Sequence, residues 1–325
     1  MVNGSTTPSI EFQNMSRLFG ETRAVDELSF KVYPGEVFGF IGPNGAGKTT
    51  SMRILATLDQ PSRGDAFVDG LSVIDDPDRV RRRLGFMPDQ FGTYSNVTCE
   101  EYLDFFARSY GLKGADRRRC LREVMAFTQL DQIAQKPMNG LSKGMKQRLC
   151  LSRTLIHNPS VMILDEPAAG LDPRARIELR DMIVALAEMG KTLLISSHIL
   201  SELAEVCHRV GIIEHGQLLA VGTVEEILQG EKGKSGQPSD SQRSTVKITV
   251  VQDVQQCLQL LATRHNIEPI QVTGNSVTIP ISEDVNEQAD LLAELVNAGI
   301  RVSSFQAKQR SLEEAFLHVT QGRVQ

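Results

Sequence analysis

No apolar run in this sequence approaches the ~18–20 residues needed to cross a bilayer. The polar start, Met1 to Ser9, lacks the apolar core of a signal peptide. The expectation is therefore a soluble, cytosolic chain that reaches a membrane only by docking on another protein. Positive charge is not in excess either. Lys plus Arg total 35 against 40 Asp plus Glu, a net charge of -5, which argues against a chain that wraps nucleic acid. Cysteine is scarce: five residues, at 99, 120, 150, 207 and 257, odd in number and never spaced C-x-x-C. That excludes a disulfide framework and a zinc module, and leaves reduced structural thiols.

What is present is globular. Apolar residues make up 41% and charged residues 23% of 325 residues. At roughly 150 residues per domain, two domains are expected. The stretch 230–244, GEKGKSGQPSDSQRS, holds no apolar residue and cannot bury anything, so it reads as a flexible linker. It separates a first domain, 1–229, from a second, 245–325. In the first, Val37–Ile41, Val161–Leu164 and Thr192–Ile195 are short apolar runs of buried, parallel-sheet character. Helical spacing follows each, which gives an α/β sheet. Residues 99–128 have helical spacing and few strand signals, and read as a mostly helical insertion within a helical subdomain at about 91–156. Its Tyr102, Phe105 and Phe106 read mainly as core. The triplets Arg81–Arg83 and Arg117–Arg119 read as solvated helix faces. The second domain reads as strand 245–251, helix 253–264, strand 267–273, strand 276–281, helix 286–298, strand 300–306 and helix 311–319. Gly274-Asn275 marks a hairpin. The first six of these elements give the ferredoxin-like α+β order.

Residues 42–50 read GPNGAGKTT: Gly42, Pro43, Asn44, Gly45, Ala46, Gly47, Lys48, Thr49, Thr50. The run fits G-x-x-x-x-G-K-S/T, follows a strand and precedes a helical run, the context this phosphate loop requires. Its glycines let backbone N–H groups curl around an anion at a helix N-terminus. Lys48 reaches the β- and γ-phosphates, and Thr49 ligates Mg²⁺. The loop alone defines only a P-loop NTPase.

VMILDEP at 161–167 ends a strand in two carboxylates. Asp165 suits Mg²⁺, and Glu166, turned the other way by the strand pleat, suits polarisation of a water. LSKGMKQRL at 141–149 opens a helix at Ser142 and Gly144. A small hydroxyl and bare amides there are a second anion site or an ordinary N-cap. His198, in LLISSHIL, would lie at the carboxyl edge of the sheet.

Taken in order, GPNGAGKTT, LSKGMKQRL, VMILDEP, AGLDP and SSH resemble the nucleotide-binding subunits of ABC transporters over about residues 9–229. The resemblance implies an α/β P-loop fold of ABC type, a mixed sheet core plus a helical subdomain, and two ATP sandwiched between two such domains. It implies that Phe19 stacks on adenine, that Lys48, Thr49 and Asp165 bind phosphate and Mg²⁺, and that Glu166 is the general base. His198 would contact the γ-phosphate, Ser142 and Gly144 the ATP of the opposite subunit, and Asp172 the dimer interface. Asp172-Pro173 also reads as a helix cap and first turn.

Two departures stand out. The family's Gln after the proline of the linking loop is replaced by Asp89 in MPDQF, with Gln90 one later; either could serve the Mg²⁺ and water network, and Asp89 is the positional match. In the signature, Lys143 replaces the first glycine and Met145 the glutamine. The combination looks like the drug-, lipid- and polysaccharide-export branch. A separate membrane permease is then implied, with this chain held peripherally at the cytoplasmic face of the cell membrane. An importer ATPase with a small-molecule-sensing tail, and a soluble ABC ATPase unconnected with transport, are the competing readings. One phosphate loop, without heptads or clustered cysteines, speaks against the second. The tail 245–325 reads as a regulatory or dimerisation domain.

Overall fold

A computed structural model describes residues 7–90, 92, 94, 96–198, 205–229, 243–252, 254–265, 271–282 and 284–308. The chain begins with two long strands, β1 (Ile10–Phe19) and β2 (Thr22–Val32), followed by β3 (Val37–Ile41) and α1 (Lys48–Leu55). Next come β4 (Arg63–Val68), β5 (Leu71–Ser72), α2 (Pro77–Arg83) and β6 (Leu84–Met87). Three helices, α3 (Cys99–Ser109), α4 (Gly114–Phe127) and α5 (Lys143–Leu155), lead into β7 (Val161–Leu164), α6 (Pro173–Glu188) and β8 (Thr192–Ser197). β9 (Arg209–Glu214), β10 (Gln217–Thr223) and the short α7 (Val224–Gln229) follow.

The strands build two sheets. One is antiparallel, in the order β2-β1-β4-β5. The other runs β10-β9-β3-β8-β7-β6, parallel except for the β9–β10 hairpin. Every residue of β3, β7 and β8 is buried, which explains why these strands read as unbroken apolar runs. The two sheets share one core. Phe12 of β1 stacks on Phe30 of β2 at 4.7 Å, and Phe30 stacks on Phe38 of β3 at 4.9 Å. Each such buried ring contributes roughly 1.5–3 kcal/mol. Met52, Ile54 and Leu55 of α1 fill the same core.

Helices α3 to α5 close around a separate cluster that includes Tyr102, Leu103, Leu121, Met125 and Leu149. Thr98 starts α3 with a reciprocal cap: its Oγ1 accepts from the Glu101 amide at 3.2 Å, and Glu101 accepts from the Thr98 amide at 2.8 Å. Of the aromatics read as core, Tyr102 is buried and Phe106 half-buried, but Phe105 points to solvent. Arg117 is no solvated face: it is mostly covered and pairs with Asp104 of α3 at 2.8 Å, tying α4 to α3.

By contacts the chain divides into a first compact unit reaching Val224 and a second from Glu225. The second contains β11 (Arg243–Val250), α8 (Val254–His265), β12 (Gln271–Thr273), β13 (Ser276–Ser282), α9 (Val285–Asn297) and β14 (Val302–Lys308). Its antiparallel sheet has the order β12-β13-β11-β14. Val246, Ile248, Val277 and Ile279 face Cys257, Leu261, Leu291 and Leu295 in its core. Element boundaries shift by one or two residues from the sequence reading, and two of the shifts have a visible cause. Arg243 and Ser244, placed in the linker, pair with Ser282 and Ile281 as strand. The last strand starts at Val302, because Ile300 is a buried plug ahead of it. Residues 230–242 of the linker, 267–270 and the expected helix 311–319 lie outside the described residues.

Candidate nucleotide site

Four adjacent parallel strands, β3, β8, β7 and β6, end on the same side of their sheet. In turn they deliver the glycine loop, Ser196 and His198, Asp165 and Glu166, and Asp89. A crevice beyond the carboxyl ends of parallel strands is where such sheets bind ligands.

The loop is shaped by its surroundings. Gly47 has φ 103, a left-handed backbone that excludes side-chained residues, and a Cβ there would run into the Ala24 carbonyl of β2. The Gly216 amide, in the β9–β10 turn, donates to Ala46 O at 3.0 Å, and the Asp26 amide donates to Gly216 O at 2.8 Å. The loop is thus clamped between β2 and the β9–β10 hairpin. α1 starts at its end with no side-chain cap and no acidic residue in its first turn. Those bare amides suit an anion.

Lys48 is buried. Its Nζ donates to Gly42 O at 2.6 Å and Pro43 O at 3.2 Å, and lies 3.7 Å from Glu166 Oε1. Burial pushes its pKa down, and the charges of Glu166 and Asp165 pull it back up. Asp165 is also buried. Burial raises its pKa, hydrogen bonds from Ser196 and Thr49 lower it, and the charges of Glu166 and Asp89 raise it.

Glu166 does not follow the strand pleat. β7 ends at Leu164, and Glu166 adopts φ 48, in the left-handed region. The turn, rather than strand alternation, aims its carboxylate at Lys48. On its other side Glu166 Oε2 lies 2.7 Å from His198 Nδ1. The residue that holds this turn was not singled out from sequence. Ser196 Oγ donates to Asp165 Oδ1 at 2.6 Å and accepts from the Glu166 amide at 2.8 Å. Its signal was a pair of hydroxyls, Ser196 and Ser197, ending an otherwise apolar strand just before His198.

The remaining candidates lie outside this network. Asp89 and Gln90 are exposed after β6, and only Asp89 is felt electrostatically at Asp165. Phe19 ends β1 and is exposed, and the Arg17 guanidinium, held by Asp59 at 2.8 Å, lies 4.5 Å from the ring centre. Ser142 caps α5, its Oγ accepting from the Met145 amide at 3.3 Å. Asp172 caps α6 in the same way, accepting from Ala175 N at 2.9 Å. Among the described residues, no hydrogen bond or ion pair joins Ser142 or Gly144 to Lys48, Asp165 or Glu166.

A buried ammonium beside an uncapped helix start cradles a polyphosphate, and a carboxylate braced by an imidazole can hold a water. With the strand order, this defines a P-loop NTPase. Comparison with known proteins goes further. The family described as ABC transporter matches residues 25–169. The Nod factor export ATP-binding protein I of Burkholderia thailandensis is 38% identical over 224 residues, covering 69% of this chain and 74% of that protein. The linearmycin resistance ATP-binding protein LnrL of Bacillus subtilis is 28% identical over 313 residues, 96% of this chain and 98% of its own, so that likeness includes the second unit. A solved dimer of the ATP-binding cassette MJ0796, in a post-hydrolysis state with ADP and Pi, superposes with a TM-score of 0.60 at 25% identity, covering 66% of this chain and 98% of that one. The chain belongs to the ATP-binding subunits of ABC transporters. It binds ATP and is an ATPase coupled to transport.

Proposed function

We propose that two copies of this chain, or this chain and a paired ATPase subunit, close around two ATP and power export through a separate integral membrane permease. The chain would sit at the cytoplasmic face of the cell membrane, peripherally, through that permease. The observation that carries this reading is the convergence of Lys48, Asp165, Glu166 and His198 at the ends of neighbouring strands. The export direction rests on the printed names of the relatives, one for Nod factor export and one for linearmycin resistance. Among the described residues no helix is long and apolar enough to cross a membrane.

In this proposal the amides of Gly42 to Thr50 and the Lys48 ammonium hold the β- and γ-phosphates. Thr49 and Asp165 hold Mg²⁺, with Asp89 in its water shell. Their donors are all oxygen, the set a hard cation takes, and Asp165 is a buried carboxylate whose ionised form a cation would favour. Bound Mg²⁺ supplies charge neutralisation across the phosphates. Glu166 orients the attacking water and takes its proton, while His198 fixes the carboxylate and faces the γ-phosphate. Phe19 stacks on adenine. Ser142 and Gly144, at the α5 N-terminus, serve the ATP of the opposite subunit, and Asp172 lies at the dimer interface.

The sandwich is tested in mixed dimers. Ser142→Arg places a long side chain where the opposite γ-phosphate would bind. In mixtures with wild-type protein, activity per wild-type subunit should fall as the mutant fraction rises. Constant activity per wild-type subunit would rule out a shared site.

The second unit is assigned to regulation or dimer stabilisation. The proposed phosphate-handling residues all precede it, and its sheet ends in strand edges at β12 and β14 that suit pairing with another chain. Tethering two subunits raises their effective concentration. A chain ending at about Gly230 should bind ATP normally yet reach full specific activity only at higher protein concentration. Superimposable curves of activity against concentration for the two forms would exclude tethering.

A further inference from the structure

Lys143 stands where the family signature has glycine, and its position in the fold is specific. It opens α5 directly after the cap Ser142, at the positive end of a helix whose first turn holds no acidic residue. A cation there is opposed by the helix dipole. Among the described residues the ammonium has no ion-pair partner. It lies back over Gly170, in the loop that joins Glu166 to α6. Gly170 has φ 65, and the Lys143 Nζ occupies the space a Cβ on Gly170 would need. The next residue touches the same segment: a Cβ on Gly144 would lie 3.0 Å from Ala175 Cβ and 4.0 Å from Leu171 Cδ2. The loop is short and stiff. Ala169 N donates to Glu166 O at 3.1 Å and Leu171 N to Ala168 O at 3.2 Å, so two successive turns connect Gly170 to Glu166.

We propose that Lys143 is a positioning residue that links the α5 N-terminus to the Glu166 loop, and so carries the presence of an anion at that helix end to the hydrolytic carboxylate of the same subunit. With no anion before α5, the ammonium rests on Gly170 and holds the loop. With a phosphate there, attraction by the phosphate charge draws the ammonium forward and releases the space above Gly170. In the proposed dimer that phosphate belongs to the opposite subunit's ATP, so one site's occupancy reaches the other's Glu166. The inference rests on the roles proposed above for Glu166 and for the α5 N-terminus.

The test is a double-mutant cycle on the full-length protein, with ATP affinity measured by a fluorescent ATP analogue and turnover at saturating ATP. Lys143→Met keeps length and loses charge; Lys143→Arg keeps both. Both substitutions lie on the surface; Gly170→Ala is exposed as well but puts a side chain on a left-handed backbone at φ 65, so the melting curve of every variant is compared with wild type before kcat is read. The expected result is a fall in kcat of about tenfold for Lys143→Met, within the range of coupling residues, and ATP affinity within about twofold of wild type. Lys143→Arg should restore kcat. Gly170→Ala, which takes the space on which the Lys143 side chain rests and so mimics its release, should leave kcat at saturating ATP within about twofold of wild type, and in the double variant it should suppress the loss seen in Lys143→Met. Wild-type kcat in Lys143→Met, equal loss in Lys143→Met and Lys143→Arg, or an undiminished loss in the double variant would each overturn the proposal. A failure of the underlying reading shows separately, as wild-type turnover in Glu166→Gln.

Discussion

Glu166→Gln should stop ATP hydrolysis while leaving ATP binding intact. The amide has the shape of the carboxylate and can keep the contact to His198 Nδ1, now at 2.7 Å, so the turn held by Ser196 survives. What is lost is the basic oxygen. A positioned general base contributes about 10²–10⁴-fold, and turnover should fall by that order. Removing the negative charge 3.7 Å from Lys48 also leaves the ammonium more available to phosphate. ATP should then bind at least as tightly, and the proposed dimer around it should accumulate, because the step that would open it is blocked. The measurements are phosphate release and size exclusion with and without ATP. Wild-type turnover would remove Glu166 from the chemistry, and an ATP-bound monomer would count against the sandwich.

Lys48→Ala should abolish turnover by a different route. The side chain is buried and satisfied by two carbonyls of its own loop, at 2.6 and 3.2 Å, so in the absence of nucleotide its cation is held ready over the loop. Truncation takes that donor from the Gly42 carbonyl, while Pro43 O keeps the Ala46 amide at 3.2 Å, and removes the buried cation of the proposed phosphate site. Removing one preorganised charge-stabilising group from a water-excluded site costs about 10²–10³-fold in rate. The loss should appear in ATP affinity as well, since the proposed contact to phosphate would be made in the bound ground state too. Equilibrium binding together with kcat/KM separates the two. Binding and turnover both near wild type would show that the phosphate sits elsewhere.

The α/β core could be read from sequence where burial is complete on both faces. β3 and β7 were bounded as they stand, since strands in the middle of a parallel sheet are apolar without interruption. The antiparallel sheet could not. β1 breaks register three times against β2 and contains Asn14 at φ 47, so its alternation is lost between Phe12 and Met15. In the second unit, Ile300 reads as the start of a strand because Ile300 and Val302 alternate across Arg301 and carry no mark of where the turn ends. At the candidate site, motif spacing points to Lys48, Asp165 and Glu166, side chains that the loop and the strand end bring close together. It missed Ser196, whose contribution exists only once β8 lies beside β7. It also misjudged how Glu166 is aimed, because pleat alternation holds only as far as Leu164.

The clamp on the phosphate loop has a consequence for the order of assembly. β3 carries the loop, but its sheet neighbours are β8, from Thr192, and β9, ending at Glu214, and the loop's last fastening is the Gly216 turn. During synthesis the chain emerges N-terminus first, and contacts so distant along it must wait for their later partner. The glycine loop therefore leaves the ribosome early and remains unformed until almost the whole first unit has followed. A nascent chain has no nucleotide pocket to fill, and ATP can stabilise this protein only after the hairpin of β9 and β10 has closed behind the loop.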